Sequence, residues 1–160
     1  MNAYNFYDAL YTAPYVSLLG FDGTTNTKLN VYLCATKPTI EDFEYGVVVG
    51  DIKIKDYFGY STIIRGRNRY ESSVKIANSF KKFLNNYLDT VILTSGEDYP
   101  DGLSSAGLVA TKFAPIILTP KNSLDKPAKK FIKENNIENI IIVGGKNSVS
   151  KNIEEELGEL

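Results

Sequence analysis

Val47-Val48-Val49-Gly50-Asp51 is answered, 94 residues on, by Ile141-Ile142-Val143-Gly144-Gly145, two β-branched runs that lead into glycine. A second pair of segments supports the period. Asn5-Phe6-Tyr7-Asp8-Ala9-Leu10-Tyr11-Thr12-Ala13 returns 93 residues later as Asp98-Tyr99-Pro100-Asp101-Gly102-Leu103-Ser104-Ser105-Ala106, so two distant markers give nearly the same offset. A unit this long exceeds the periods of helical solenoids and propeller blades and points to a duplicated α/β module used in tandem. Further short β-branched runs at Val31 to Ala35, Thr62 to Arg65, Thr90 to Thr94 and Ala114 to Thr119, with Gly46 to Gly50 and Asn139 to Gly144, read as buried parallel strands.

Helical patterns separate these runs. The clearest runs from Arg69 to Asn86, with Val74, Ala77, Phe80, Leu84 and Tyr87 at three- and four-residue spacing. Asn68 before it and Glu71 three residues later have the form of a capping box. Leu124, Ala128, Phe131 and Ile132 mark another helix, and Val149, Ile153 and Leu157 a last one. Strand and helix in alternation predict a doubly wound, mostly parallel α/β sheet with right-handed crossovers and helices on both faces. The repeat register sets Met1 opposite Thr94, so the first copy lacks its opening strand, and it carries an insertion around Gly20 to Leu29. Residues 1–63 are therefore read as the degenerate back part of one repeat and residues 64–160 as a nearly complete second repeat.

Composition narrows the chemistry. With 160 residues, 43% of them hydrophobic, the chain has material for a core without staples. Its 18 basic and 19 acidic residues leave a net charge of −1, which argues against a nucleic-acid partner. One cysteine excludes an intrachain disulfide, and Cys34 lies in the apolar run Val31-Tyr32-Leu33-Cys34 as a buried, inert thiol. The absence of histidine removes the commonest general base and metal ligand, so hydrolytic machinery is hard to assemble, and the expected metal and cofactor complement is none. No apolar run is long enough to span a bilayer, so no membrane partner is expected, and the polar, aromatic residues after Met1 do not form an export signal.

The sharpest chemical signal is the segregation of arginine. Arg65, Arg67 and Arg69 are the only three in the chain and fall within five residues, where a strand gives way to a helix. Their planar donor forks suit phosphate or carboxylate, and a helix N-terminus attracts anions. The competing reading pairs them with Glu97, Asp98 or Asp101 as struts between βα loops. The segment Glu97 to Asp101 stands where α/β sheets bind ligands, but a helix N-terminus accounts for its acids without catalysis. Gly144-Gly145-Lys146-Asn147-Ser148 resembles a phosphate-gripping turn, yet Ile140 and Asn147 occupy positions where a P-loop needs glycine and Ser or Thr. Tyr4, Tyr7, Tyr11 and Tyr15 follow near-helical spacing and read as a packed face rather than a sugar-stacking surface.

Four segments taken in order carry a resemblance: Arg65-Gly66-Arg67-Asn68-Arg69-Tyr70-Glu71-Ser72-Ser73-Val74-Lys75-Ile76-Ala77-Asn78, Val91 to Asp101, Ala114-Pro115-Ile116-Ile117-Leu118-Thr119 and Ile142-Val143-Gly144-Gly145. The chain resembles the cell-wall-binding repeat 2 family of clostridial surface-layer and cell-wall proteins, well over Ile64 to Leu160 and weakly over residues 2–63. That resemblance implies a flavodoxin-like module, packing with sister repeats or in a homo-oligomer, and a noncovalent anchor to an anionic wall polysaccharide, with activity in another domain. It implies the extracellular wall surface as the location, so a chain without an export signal is read as a fragment or as a phage-borne or unprocessed module. The expectation is a nonenzymatic wall-binding module that grips an anionic polymer through Arg65, Arg67 and Arg69, with Asp101, Lys121 and Lys146 on adjoining loops. A wall-lytic hydrolase, or its targeting domain, is the alternative. A flavin or nucleotide site is a third reading that no phosphate-loop motif supports.

Overall fold

The computed structural model describes residues 6–19, 45–50, 60–84 and 87–160. Helices α1 (Phe6–Leu19), α2 (Arg69–Phe83), α3 (Pro100–Ser104), α4 (Ala106–Lys112), α5 (Lys126–Glu134) and α6 (Lys151–Gly158) alternate with strands β1 (Tyr45–Val49), β2 (Tyr60–Ile64), β3 (Thr90–Ser95), β4 (Ile116–Thr119) and β5 (Asn139–Val143). Among the described residues every strand pairing is parallel: β1 with β2 in one sheet, and the order β4-β3-β5 in the other. The run Val31 to Ala35 and Cys34 lie outside the described residues, as does Tyr4.

Burial on both faces explains why β3 reads as an unbroken apolar run. Side chains alternate along a strand, so Val91 and Leu93 enter one core and Ile92 the other. The first core holds Phe80 and Ala77 of α2, Phe131 and Ile132 of α5 and Ile153 of α6. The second holds Tyr7, Leu10 and Tyr11 of α1 against Ile76, Ile116 and Leu118. The tyrosine stripe is thus a packed face: Tyr7 and Tyr11 are buried, and Tyr15 packs on both cores. Burial, and then its hydrogen bond to Asp8 Oδ1, raises the Tyr11 hydroxyl far above its ordinary pKa.

The helix start predicted at Asn68 is present with one change. Asn68 Oδ1 accepts from the Glu71 amide at 2.9 Å, but the Glu71 carboxylate returns to the Arg67 amide at 3.0 Å rather than to the cap residue itself. The strand expected from Ala114 begins at Ile116, after Pro115, whose carbonyl accepts from the Ile92 amide.

The matched segments of the sequence make corresponding contacts in space. Gly50 has a φ of +88° and lies so close to Asp8 that an added Cβ would overlap the carboxylate; 93 or 94 residues on, Gly144 has a φ of +136° and an added Cβ would lie 2.8 Å from Asp101 Oδ2. Residues that mark the period in sequence thus meet in two equivalent pairs, helix start against strand-end turn.

Candidate functional site

Parallel pairing brings the carboxyl ends of β3, β4 and β5 to one edge, with Ser95 opposite Thr119 and Thr94 opposite Val143. The loops that leave this edge are laced together. Glu97 Oε1 accepts from the Lys121 amide at 3.0 Å, and the Lys121 carbonyl accepts from the Ser150 amide at 2.9 Å. Asp98 Oδ1 accepts from the Tyr99 amide, and Asp101 lies against the Gly144 turn. Glu97 and Asp98 of the Glu97 to Asp101 segment therefore accept backbone amides nearby. Lys121 is half-buried and Lys146 is exposed on the turn after β5.

The β2–α2 turn carries the arginines, and each has a different setting. Arg69 reaches across to the loop after β3: its Nη1 donates to the Gly96 carbonyl, and its guanidinium lies 3.9 Å from the centre of the Tyr7 ring. Tyr7 closes the loop by donating its hydroxyl to the Glu97 carbonyl at 2.9 Å. Arg69 is thus a strut joining α1, α2 and the β3 loop, although its partners are a carbonyl and a ring rather than the acids expected of a strut. Arg67, just before the helix cap, pairs with Glu71 of α2 at 2.7 Å, and its side chain remains 86% exposed. Arg65 is exposed, and its carbonyl accepts from Lys75 Nζ.

Four backbone donors at this turn already have acceptors. The amides of Gly66, Arg67, Glu71 and Ser72 donate to Ser72 Oγ, Glu71 Oε2, Asn68 Oδ1 and the Asn68 carbonyl. An incoming anion meets arginine side chains at this turn, while the helix's own acceptors answer these four donors. Hydrogen bonding from the Arg67 side chain, first, and from its amide holds the Glu71 carboxyl down at about 2, against an ordinary 4.5. Because the folded value is the lower one, the stabilisation from Glu71 is complete above the ordinary value and is lost as pH falls toward 2. Glu71→Gln is expected to flatten the melting temperature against pH across that acid window and to leave the slope near neutrality unchanged, as thermal melts in a pH series will show. An unchanged acid limb would overturn the assignment.

Sequence reasoning missed the aromatic residues at this edge. Phe6 stacks at 3.9 Å on Tyr7 and meets Tyr99 edge-on at 5.4 Å, with planes 77° apart. A signal was available, since the repeat register sets Phe6 opposite Tyr99. Among the described residues no group of three His, Cys, Asp or Glu could hold a metal, and no helix is long and apolar enough to cross a membrane.

Residues 63–154, more than half of the chain, match the family model for cell wall binding domain 2 (CWB2). The chain belongs to the CWB2 family. Its CWB2 sequence is similar to the N-acetylmuramoyl-L-alanine amidase LytC of Bacillus subtilis strain 168, 31% identical over 166 positions that cover 98% of this chain and 32% of that protein. It is also similar to the Amidase enhancer of the same strain, 32% identical over 113 positions, 71% of this chain and 15% of that one. Among solved structures, Cwp8 from Clostridium difficile is 35% identical with a TM-score of 0.52, over 62% of this chain and 16% of its own. Cwp6 from the same species, at 24% identity and a TM-score of 0.56 over 63% and 16%, shares the fold. The CWB2 chain spans about a third of the first of these relatives and less of the others. It is a cell-wall-binding module with a parallel α/β architecture.

Proposed function

We propose that this module holds a protein to an anionic wall polysaccharide, without catalysis of its own, and that Arg65 and Arg67 supply the principal cations. The observation that carries this reading is Arg67: a guanidinium 86% exposed, paired with Glu71 just inside the start of α2, in a protein whose net charge is −1. A side chain spent on fold stability would be drawn inward, as Arg69 is; one left at the surface beside a second arginine suits a phosphate or carboxylate ligand. Arg69 contributes by fixing the β2–α2 turn, and Lys121 and Lys146 add charge along the same edge. Asp101 is assigned to ligand hydroxyls through whatever capacity its contact with the Gly144 turn leaves. Residues 1–63 and 64–160 serve as a partial and a nearly complete repeat, a division supported by the equivalent Asp–Gly contacts. Sister repeats multiply weak sites into firm attachment. The amidase relatives favour a place for the module as the targeting part of a longer lytic protein at the wall surface.

The test is sedimentation of the chain with purified walls, before and after the anionic polymer is stripped, at low and high salt. Binding is expected to fall on stripping and with salt; binding that survives stripping unchanged defeats the proposal. Arg67→Ala should weaken binding about three- to tenfold while the melting temperature stays within about 3 °C of the parent. A large thermal loss would instead make Arg67 a strut.

A further inference from the structure

We propose that Phe6 and Tyr99 form a sugar-stacking platform that receives an uncharged pyranose face of the wall glycan, an inference that rests on the wall-binding reading above. Among the described aromatic residues, these two combine exposure with a ring partner at the strand-end edge. Phe6 is 44% and Tyr99 52% exposed, and their rings meet edge-to-face at 5.4 Å instead of turning into a core. The pair is held from beneath. Phe6 packs on Tyr7, Tyr7 on the Arg69 guanidinium, and Arg69 on the Gly96 carbonyl, so ring and cation form one continuous strip from the arginine turn to the platform. Rings braced in this way lose little conformational freedom on binding.

The chemistry at the rim selects the occupant. Two rings at 77° make a corner. The axial C–H bonds of a pyranose carry partial positive charge, which the negative face of one ring attracts while the other ring closes the side. Beside the corner stand the exposed carboxylates of Glu97 and Asp98, acceptors suited to sugar hydroxyls. Acids are depleted from the centres of protein–protein interfaces, which disfavours a protein partner here. They also repel phosphate, so the anionic part of the polymer is directed to the arginine turn and a neutral ring to this corner. The division of labour gives the first repeat a part in binding although it has no arginine. Phe6 comes from one copy and Tyr99 from its equivalent in the other, 93 residues apart.

The experiment compares Tyr99→Ala, Tyr99→Phe, Phe6→Ala and Tyr87→Ala in sedimentation with purified walls at low and high salt. Saturation-transfer NMR tests the parent with the neutral oligosaccharides released when the polymer is dephosphorylated. Tyr87, 74% exposed but with no ring partner among the described residues, is the control. Tyr99→Ala and Phe6→Ala are expected to lose about three- to tenfold in affinity at both salt concentrations. Tyr99→Phe and Tyr87→Ala should bind as the parent does, and the parent should transfer saturation to ring C–H protons of the oligosaccharide. Parent-like binding by Tyr99→Ala, a loss that disappears at high salt, or a loss that instead tracks a change in oligomeric state with no transfer to the sugar overturns the platform. If the parent binds walls and Arg67→Ala weakens it while Tyr99→Ala does not, the platform alone fails. A parent that does not sediment with walls overturns both proposals.

Discussion

Gly66→Ala is expected to lower the melting temperature by about 8 to 12 °C and to weaken wall binding with it. A Cβ at Gly66 would fall on the amide nitrogen of Ser72 and lie 2.7 Å from the Glu71 carbonyl carbon. Both are backbone atoms of the first turn of α2, so no rotamer change relieves the overlap. Moving the turn away would stretch the 2.9 Å bond from the Gly66 amide to Ser72 Oγ and disturb the Asn68 cap. Overpacking against fixed backbone costs about 1 to 3 kcal/mol, and a weakened cap and hydrogen bond add about 1 kcal/mol. Because this turn carries Arg65 and Arg67, a displaced turn also displaces the cations proposed to meet the polymer. Thermal melts with a binding assay provide the check. A variant melting within about 2 °C of the parent would show that the turn yields, whereas Arg67→Ala should change binding and leave the melt nearly alone.

Gly50→Ala is expected to cost about 3 kcal/mol, and Gly144→Ala distinctly less. Each carries the strain of a side chain at positive φ, +88° and +136° respectively. The difference lies in what each would meet. At Gly50 the new methyl overlaps the carboxylate of Asp8, a buried side chain that also accepts the Tyr11 hydroxyl within the α1 core. At Gly144 the neighbour is Asp101, half-buried and 2.8 Å away, with room to turn toward solvent. Denaturant unfolding of both variants measures the order. Equal losses, or a greater loss at Gly144, would show that the two copies are more alike in packing than their surroundings indicate.

The strands were legible because β3 is buried on both faces and must be apolar throughout, and α2 because Val74, Ala77 and Phe80 supply one core stripe behind a capping residue. The Asp–Gly contacts were half legible. The period marked those residues as equivalent, but separations of 42 and 43 along the chain conceal that they touch. The arginine turn was found by composition, yet sequence could not sort its members. Arg67 and Arg69 differ by two positions, and whether a guanidinium finds Glu71 or reaches the Gly96 carbonyl depends on how the β3 loop is set beside α2. The expected struts to Glu97, Asp98 or Asp101 are likewise absent from the partners of Arg67 and Arg69, because those acids serve nearby amides and the Gly144 turn.

Periodicity and residue type by themselves determined the parallel α/β class, the tyrosine face of α1 and the place where arginine gathers, since these depend on short-range spacing and on which side chains water rejects. Only the tertiary structure decided which arginine braces the fold and which stays exposed, and that Phe6 and Tyr99 meet at the surface. Those outcomes depend on the packing of α1 against the loop after β3. Contacts across more than 90 residues arise from three-dimensional packing and leave no local pattern to read.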